Sequence, residues 1–409
     1  MNVTWLLAWR NLWRHRRRTW LTVGAMVFCN VLLVFLISLQ LGSYQMMIDG
    51  TLSAFTGHIQ IQHRGYLQDQ RMRQSVPDAA LLAQRLREVP VVDSAAARAE
   101  AFALASSEER SFGVLLTAVQ PHYEPRVSTL PDMISQGRYL RASDAHEIVL
   151  GSLLARNLKV GPGDEVTFLG SARDGSFAAA VATVVGIVHS GMDDVDRNLA
   201  QVPLGWFQRV FAMGDRGHAI VLRVHHLDQV DAAVAALRAA LPAGESLVVL
   251  DWETLQPGLR QAITSDMASA WFMYAVLIVL VAFSVLNTQL MSVLERTREF
   301  GVMLALGMRP SRLARLVAME TGLLGLLGLV LGIALGALLT AYLGHVGFTY
   351  PGMDDMAARF HLPARMYPRV SLLSLCWGPA TVFVGAMLAA LYPALRLLRL
   401  RPVAAMRAA

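Results

Sequence analysis

The chain of 409 residues is 55% hydrophobic and only 16% charged, with a mean hydropathy of +0.43, which is the composition of a membrane protein. Its net charge of +6 averages two unlike parts: residues 45–265 hold 19 Lys/Arg against 24 Asp/Glu, a net of −5, and the remainder holds 17 against 6, a net of +11. The positive charge thus belongs to segments flanking apolar runs, which argues against nucleic acid as the partner behind the basic pI.

Residues 1–18 interleave Arg10, Arg14, His15, Arg16, Arg17 and Arg18 with Trp5, Trp9 and Trp13, and Trp20 follows. An apolar run of about 20 residues, Leu21 to Leu41, begins at once, long enough to span a bilayer. We therefore read 1–18 as a basic cytoplasmic or interfacial segment with an aromatic belt on the positive-inside side. The run exceeds a signal-peptide core and no small-residue cleavage site follows it. Phe28 stands before Cys29 where a lipoprotein signal needs a small residue. Residues 19–55 are expected to form the first transmembrane helix and a stalk. Cys29 and Cys376, the two cysteines, lie in apolar runs and read as packing residues.

Residues 56–251 read as a soluble α+β domain. HIQIQHR (58–64) alternates like a half-buried strand. A helix is expected over 77–89, then strands near 92–105 and 111–119. A second strand–helix–strand unit is expected over 218–226, 227–241 and 246–252. We group 56–125 with 215–251 as one α+β half and read 126–214 as a β-rich insertion, with a turn at Gly161-Pro162-Gly163-Asp164 and a strand at 180–191.

Residues 252–294 read as a stalk and the second span, with 271–291 as its apolar core. Residues 295–315 open with Glu295-Arg296-Thr297-Arg298-Glu299, continue through an apolar patch, and close with Arg309, Arg312 and Arg315 around Gly307 and Pro310. Such a segment between spans is expected to lie along the membrane surface as a short bent helix; a plain basic loop is the alternative. The third span is expected over 316–344, with Gly328, Gly332, Gly336, Thr340 and Gly344 every four residues, a stripe that permits close helix approach within one subunit or between two. A loop at 345–370, a fourth span at 371–396 and a basic tail at 397–409 follow. The Arg-rich flanks put both termini and the 295–315 segment in the cytoplasm, with the large domain on the other side.

Glu320, near the start of the third span, is costly there unless paired. It either neutralises Arg296, Arg312 or Arg315 or snorkels to water. Asn30, Asn287 and Gln289 read as interhelical hydrogen-bonding positions or as part of a substrate path. The single lysine, Lys159, stands in NLKVG, so the chain cannot form a P-loop, which needs Gly-Lys-Ser/Thr to reach the phosphates. His58, His63, His225 and His226 lie in strand-like stretches, as metal ligands or solvated residues. Asp193-Asp194-Val195-Asp196 lacks the spaced oxygens of an EF-hand loop and reads as a solvated turn or a Ca²⁺ site. No metal site is assigned.

The ground plan is a polytopic α-helical membrane protein of four transmembrane helices, with a large α+β periplasmic domain inserted between helices 1 and 2. It resembles the permease subunits of type VII ABC transporters, the MacB/FtsX superfamily, and leans toward their lipoprotein-releasing LolC/LolE branch. The resemblance rests on LERTREFGVMLALGMRPSRLARLVAMET (294–321), YPALRLLRLRPVAAMR (392–407), EIVLGSLLARNLKVGPGDEVTFL (147–169), VVGIVHSGMDDVDRNLAQVPL (184–204) and FTGHIQIQHRGY (55–66).

The resemblance implies a permease that pairs with a second permease as a homo- or heterodimer. Each would dock on a cytoplasmic ABC ATPase, with ATP and Mg on that partner and no cofactor in this chain. ATP hydrolysis, on that separate subunit, would drive periplasmic motion that releases lipoprotein or another lipid-anchored or amphipathic substrate from the bacterial inner membrane, toward a periplasmic carrier or adaptor. The alternative is FtsX-like mechanotransmission that regulates a periplasmic enzyme or adaptor without transport. Glu295, Arg296, Arg298, Glu299, Phe300, Gly301 and Gly307 would form the docking element, with Arg296 and Arg298 meeting acidic ATPase residues. Gly328, Gly332 and Gly336 are helix-packing positions. Val27, Val31, Val34, Met267, Trp271 and Tyr274 would line an apolar substrate vestibule between spans one and two, or be ordinary packing residues.

Overall fold

A computed structural model describes residues 3–14, 16–143, 145–241, 246–349, 351–353 and 365–399. The tail beyond Arg399, with the end of the 392–407 motif, lies outside the described residues, as do His15, the side chain of Trp5 and the centre of the 345–370 loop. The chain divides into two compact units, one of residues 1–46, 262–351 and 365–409, the other of 47–261 and 352–364.

Four helices in the described residues are long and apolar enough to cross a membrane. The first runs Arg16–Thr51 and ends in a π-helical turn, Leu52–Thr56. The second runs Pro257–Glu295, the third Pro310–Val346 and the fourth Leu372–Leu398. The third begins earlier than the apolar run at 316 because Pro310, whose missing N–H costs nothing in a first turn, starts it. Ser371 caps the fourth, its hydroxyl accepting from the Ser374 N–H at 3.1 Å. A separate N-terminal helix, Val3–Arg14, precedes the first span, and Ala8 and Leu12 on it are buried with Val23, Leu316, Leu323 and Leu324.

The first and third spans meet closely because the small-residue stripe of the third faces the first within this same chain. A side chain at Gly328 would strike Met26, one at Gly332 would strike Asn30, and one at Gly336 would strike Val34. The four-residue repeat on each helix keeps the two faces in register. Asn30 donates through Nδ2 to the Gly328 carbonyl at 3.1 Å. Cys29, Leu33 and Ile37 of the first span pack with Tyr274 of the second and Val382 of the fourth.

The inserted unit is built on ten strands in its described residues: β1 (Ile59–His63), β2 (Val92–Ser106), β3 (Ser111–Val119), β4 (Ile134–Gly137), β5 (Glu147–Gly151), β6 (Glu165–Ser171), β7 (Phe177–Val188), β8 (Leu199–Pro203), β9 (Ala219–Val224) and β10 (Leu247–Asp251). The order is β10-β1-β9-β2-β3-β8-β5-β7-β4, and β6 bridges β2 and β7, so the pairings β2-β3-β8-β5-β7-β6-β2 close a ring. β2 is 15 residues long; its first half pairs with β9 and its second with β3 and β6. The strand at 111–119 pairs with β2 of the 56–125 half and also, in parallel, with β8 of the insertion.

Two buried polar groups pin the start of β2's ring segment. Arg98 and Glu124, both almost fully buried, pair at 2.5 Å, and Arg98 also donates to the Phe55 carbonyl. His218 stacks on Tyr66, with ring centroids 4.9 Å apart, and accepts from the Glu100 N–H at 2.9 Å. The turn at 161–164 forms as expected, with Gly163 at φ +103 and the Asp164 carboxylate accepting from the Gly161 N–H.

The possible ligand clusters are otherwise engaged. Asp193–Asn198 is a short helix, and buried Asp196 accepts from the Ser190 N–H and hydroxyl and the Ser152 hydroxyl. His58 is buried rather than solvated, and its Nδ1 accepts from the Val224 N–H. Among the described residues no three His, Cys, Asp or Glu side chains gather.

Candidate coupling site

The segment between the second and third spans is one short helix held at both ends by defined breaks. At Arg296 the backbone leaves the helical region, with φ −100 and ψ 12, and a new helix runs Thr297–Ala305. It stops in a Schellman turn. The Met308 N–H donates to the Met303 carbonyl and the Gly307 N–H to the Leu304 carbonyl, both at 3.1 Å. Gly307 has φ +91, a conformation that costs side-chain-bearing residues energy and glycine none.

The inner face of this helix is apolar. Phe300 and Leu304 are buried with Val293, Leu313, Val317 and Leu397, and Gly301 is buried beside them. Arg296 also points inward. Its Nη1 lies 3.0 and 3.2 Å from the two Glu320 carboxylate oxygens, with both side chains only 9% exposed. The guanidinium sits 4.9 Å from the centroid of the Phe300 ring, within cation–π range. Glu320 receives a further hydrogen bond from Asn11 Nδ2 of the N-terminal helix at 2.7 Å. Buried Gln289 and Ser292 line a small polar cavity of about 30 Å³ beside the pair.

The two glutamates of the cluster face the chain's N-terminal residues. Arg18 meets Glu295 at 2.8 Å and Ser292 Oγ at 2.8 Å, and Arg14 meets Glu299 at 3.2 Å. The outward face is left to Arg298, Val302, Leu306, Gly307 and, beyond the turn, Arg309, Arg312 and Arg315. Leu306 is 83% exposed. Arg298 has no ion-pair partner among the described residues.

The expected docking element thus divides in two. Arg298 and Gly307 are surface residues. Arg296, expected to meet a partner's acidic groups, instead neutralises Glu320, and Phe300 and Gly301 are packed inside. Of the three arginines that could have paired with Glu320, Arg312 and Arg315 stay exposed. The sequence marks Arg14 and Arg18 only as members of a basic interfacial segment, and it does not mark Asn11. The partners of Asn11, Arg14 and Arg18 stand 309, 285 and 277 positions away, and only the Arg-rich composition hinted at acidic contacts.

The expected vestibule residues do not form one lining. Val34 is fully buried over Gly336, Val27 packs with the Leu323–Leu324 cluster, and Val31 is half-buried. Tyr274 is buried, and its hydroxyl donates to Gln40 Oε1 at 2.7 Å. Met267 and Trp271 are exposed, with Trp271 edge-on to Trp377 at 6.3 Å. Spans one and two are joined here by a polar clasp. Gln40 Nε2 donates to Tyr44 Oη at 2.7 Å and lies 3.2 Å from Asp266, and the Tyr44 hydroxyl donates to Asp266 Oδ2 at 2.7 Å.

Two family models match most of the chain: the MacB-like periplasmic core domain over residues 19–240 and the FtsX-like permease C-terminal region over 271–402. The lipoprotein-releasing system transmembrane protein LolC of Xylella fastidiosa is 26% identical over 333 residues, 78% of each chain. The macrolide export ATP-binding/permease protein MacB of Bordetella avium is 25% identical over 335 residues, 78% of this chain and 49% of that one. The crystal structure of the periplasmic region of MacB from Actinobacillus actinomycetemcomitans covers 51% of this chain and 94% of its own at 15% identity, with a TM-score of 0.37. A core-domain match over more than half the residues, joined to a permease match over the last three spans, makes this chain a member of the MacB/FtsX-like family of ABC transporter permeases.

Proposed function

We propose that this permease transmits the ATP cycle of a separate cytoplasmic ABC ATPase to its inserted periplasmic domain, and so releases a lipid-anchored or amphipathic substrate, a lipoprotein first among them, from the bacterial inner membrane. The observation that carries the coupling reading is the Thr297–Ala305 helix: apolar and ion-paired beneath, with Arg298 and Leu306 presented outward at a glycine turn. A surface of that kind suits insertion into a groove between ATPase lobes, with Leu306 as the apolar anchor and Arg298 seeking a carboxylate. ATP and Mg belong to the ATPase. Both termini and the coupling helix face the cytoplasm, in keeping with the Arg-rich flanks. A second permease completes the assembly. Likeness to LolC along 78% of both chains supports lipoprotein as the cargo.

The test is co-purification of the permease with the ATPase encoded beside it, followed by ATPase assays on Arg298→Glu and Leu306→Glu. Loss of ATPase association or stimulation in both variants, with unchanged melting of the permease alone, supports docking here. Equal behaviour of both variants and the wild type removes the coupling reading. Added lipopeptide that raises ATPase activity in the intact complex supports the cargo. A complex that couples but ignores lipopeptide, and responds to a periplasmic hydrolase or adaptor, favours mechanotransmission instead.

A further inference from the structure

The N-terminal arginines are not all used by the coupling segment. Arg14 and Arg18 hold Glu299 and Glu295, whereas Arg16 and Arg17 are exposed and have no ion-pair partner among the described residues. All four line one open groove of about 510 Å³, together with Trp13 and a single carboxylate, Glu295. With Arg14 and Arg18 paired to Glu299 and Glu295, the groove leaves two guanidinium groups, Arg16 and Arg17, for an anion, and the planar fork of arginine fits phosphate oxygens two at a time.

The surroundings say which anion. Trp9 and Trp13 meet edge-on at 5.9 Å and Trp13 and Trp20 at 6.3 Å, so Trp13, the indole that lines the groove, is the middle of a row of three. Trp20 and Leu21, just past the arginines, are exposed at 56% and 75%. Indoles prefer the headgroup layer, and exposed leucine beyond them marks the start of hydrocarbon. We propose that this groove binds the headgroup of an anionic phospholipid, with the phosphate held by Arg16 and Arg17 against Trp13 and the acyl chains lying along Trp20 and Leu21. The site does not depend on which cargo the permease serves. A lipid bound there shares its arginines with Glu295 and Glu299, so its charge acts directly on the entry to the coupling helix.

The test uses the full chain in nanodiscs of mixed phosphatidylcholine and phosphatidylglycerol, extracted into mild detergent, with retained lipids counted by native mass spectrometry. The wild type is expected to retain phosphatidylglycerol in preference to phosphatidylcholine. Arg16→Gln/Arg17→Gln is expected to lose that preference by about fivefold for each charge removed, while Arg238→Gln, an exposed arginine of the inserted unit, leaves it unchanged. Quenching by brominated lipid needs no variant: brominated phosphatidylglycerol is expected to quench the wild-type tryptophans more than brominated phosphatidylcholine. Three results overturn the proposal. The first is a preference that survives the double substitution or is absent from the wild type. The second is full displacement by inorganic phosphate, which makes the groove a site for free anion. The third is expulsion of the lipid by the ATPase subunit in a complex that needs Arg16 and Arg17, which makes it a protein-docking surface.

Discussion

Arg296 and Glu320 are joined by two nitrogen–oxygen contacts of 3.0 and 3.2 Å in a site where both are nearly buried. They tie the break before the coupling helix to the first third of the third span. Removing one partner leaves the other charge without compensation, which costs on the order of 3 kcal/mol. Arg296→Met and Glu320→Met are each expected to lower the melting temperature of the detergent-solubilised chain sharply. The double variant Arg296→Met/Glu320→Met should recover most of the loss, since two apolar side chains of that size can fill the space. Additive losses in a double-mutant cycle would sink the idea that the two act as a pair.

Gly332 faces Asn30 so closely that an added Cβ forces the first and third spans apart. Gly332→Ala is expected to lower thermal stability by about 1–3 kcal/mol, the usual range for overpacking. Gly322→Ala is the matched control, since its new methyl meets only Met387 Sδ at 3.7 Å, an ordinary contact. That variant should match the wild type or exceed it slightly, because alanine is the better helix former. Equal melting of the two variants would show that the stripe is not the close contact.

The clasp between spans one and two should behave as a hydrogen-bonded unit. Tyr274→Phe loses the donor to Gln40 and Asp266→Asn weakens the acceptor of Tyr44. Each is expected to cost about 1 kcal/mol, less than their sum when combined, because both bonds order Gln40. Cysteine cross-linking across the two spans should become slower in either variant. An unchanged rate would mean that the spans are held by their apolar contacts alone.

Acid should weaken the inserted unit before it affects the spans. Burial lowers His58 and His218 to about 4 from the usual 6.5. Below about pH 6.5 the unfolded chain takes up protons that the folded chain refuses until about pH 4, so stability falls across that window, by on the order of 3 kcal/mol for each histidine. Glu100, beside His218, acts in the opposite sense. Burial raises its carboxyl, so that contribution is present at low pH and is lost as pH rises through its folded value. Protection factors of β1, β2 and β9, corrected for the intrinsic exchange rate, should therefore fall between pH 6.5 and 4 in the full chain, and His218→Gln should flatten the slope. A flat profile in the wild type would contradict the burial argument.

The four spans were legible because some 20 consecutive apolar residues have no other stable home. The strand at 58–64 showed a period of two, yet β1 is buried on both faces, Gln60 and Gln62 included, because it lies between β10 and β9. The strands' full set of partners was not legible, since a strand's composition says nothing about which strand lies alongside; β3 pairs with β2 of its own half and also with β8 of the insertion. In the coupling segment the helix, its glycine stop and its exposed Arg298 followed from local chemistry. The pairing of Arg296 with Glu320 was one of three arginine choices that local chemistry left open, and only the packed helices select it. The role of the N-terminal arginines was hidden by chain distance alone.

β2 is a single strand shared by two sub-structures, bonded to β9 along one half and to the six-strand ring along the other. A shared strand has no joint. The ladder passes from β9 to β3 between Arg98 and Ala99, and there Arg98 and Glu124 add a buried cross-brace. The two halves of the inserted unit are therefore joined by one continuous strand, with no loop between them to serve as a hinge.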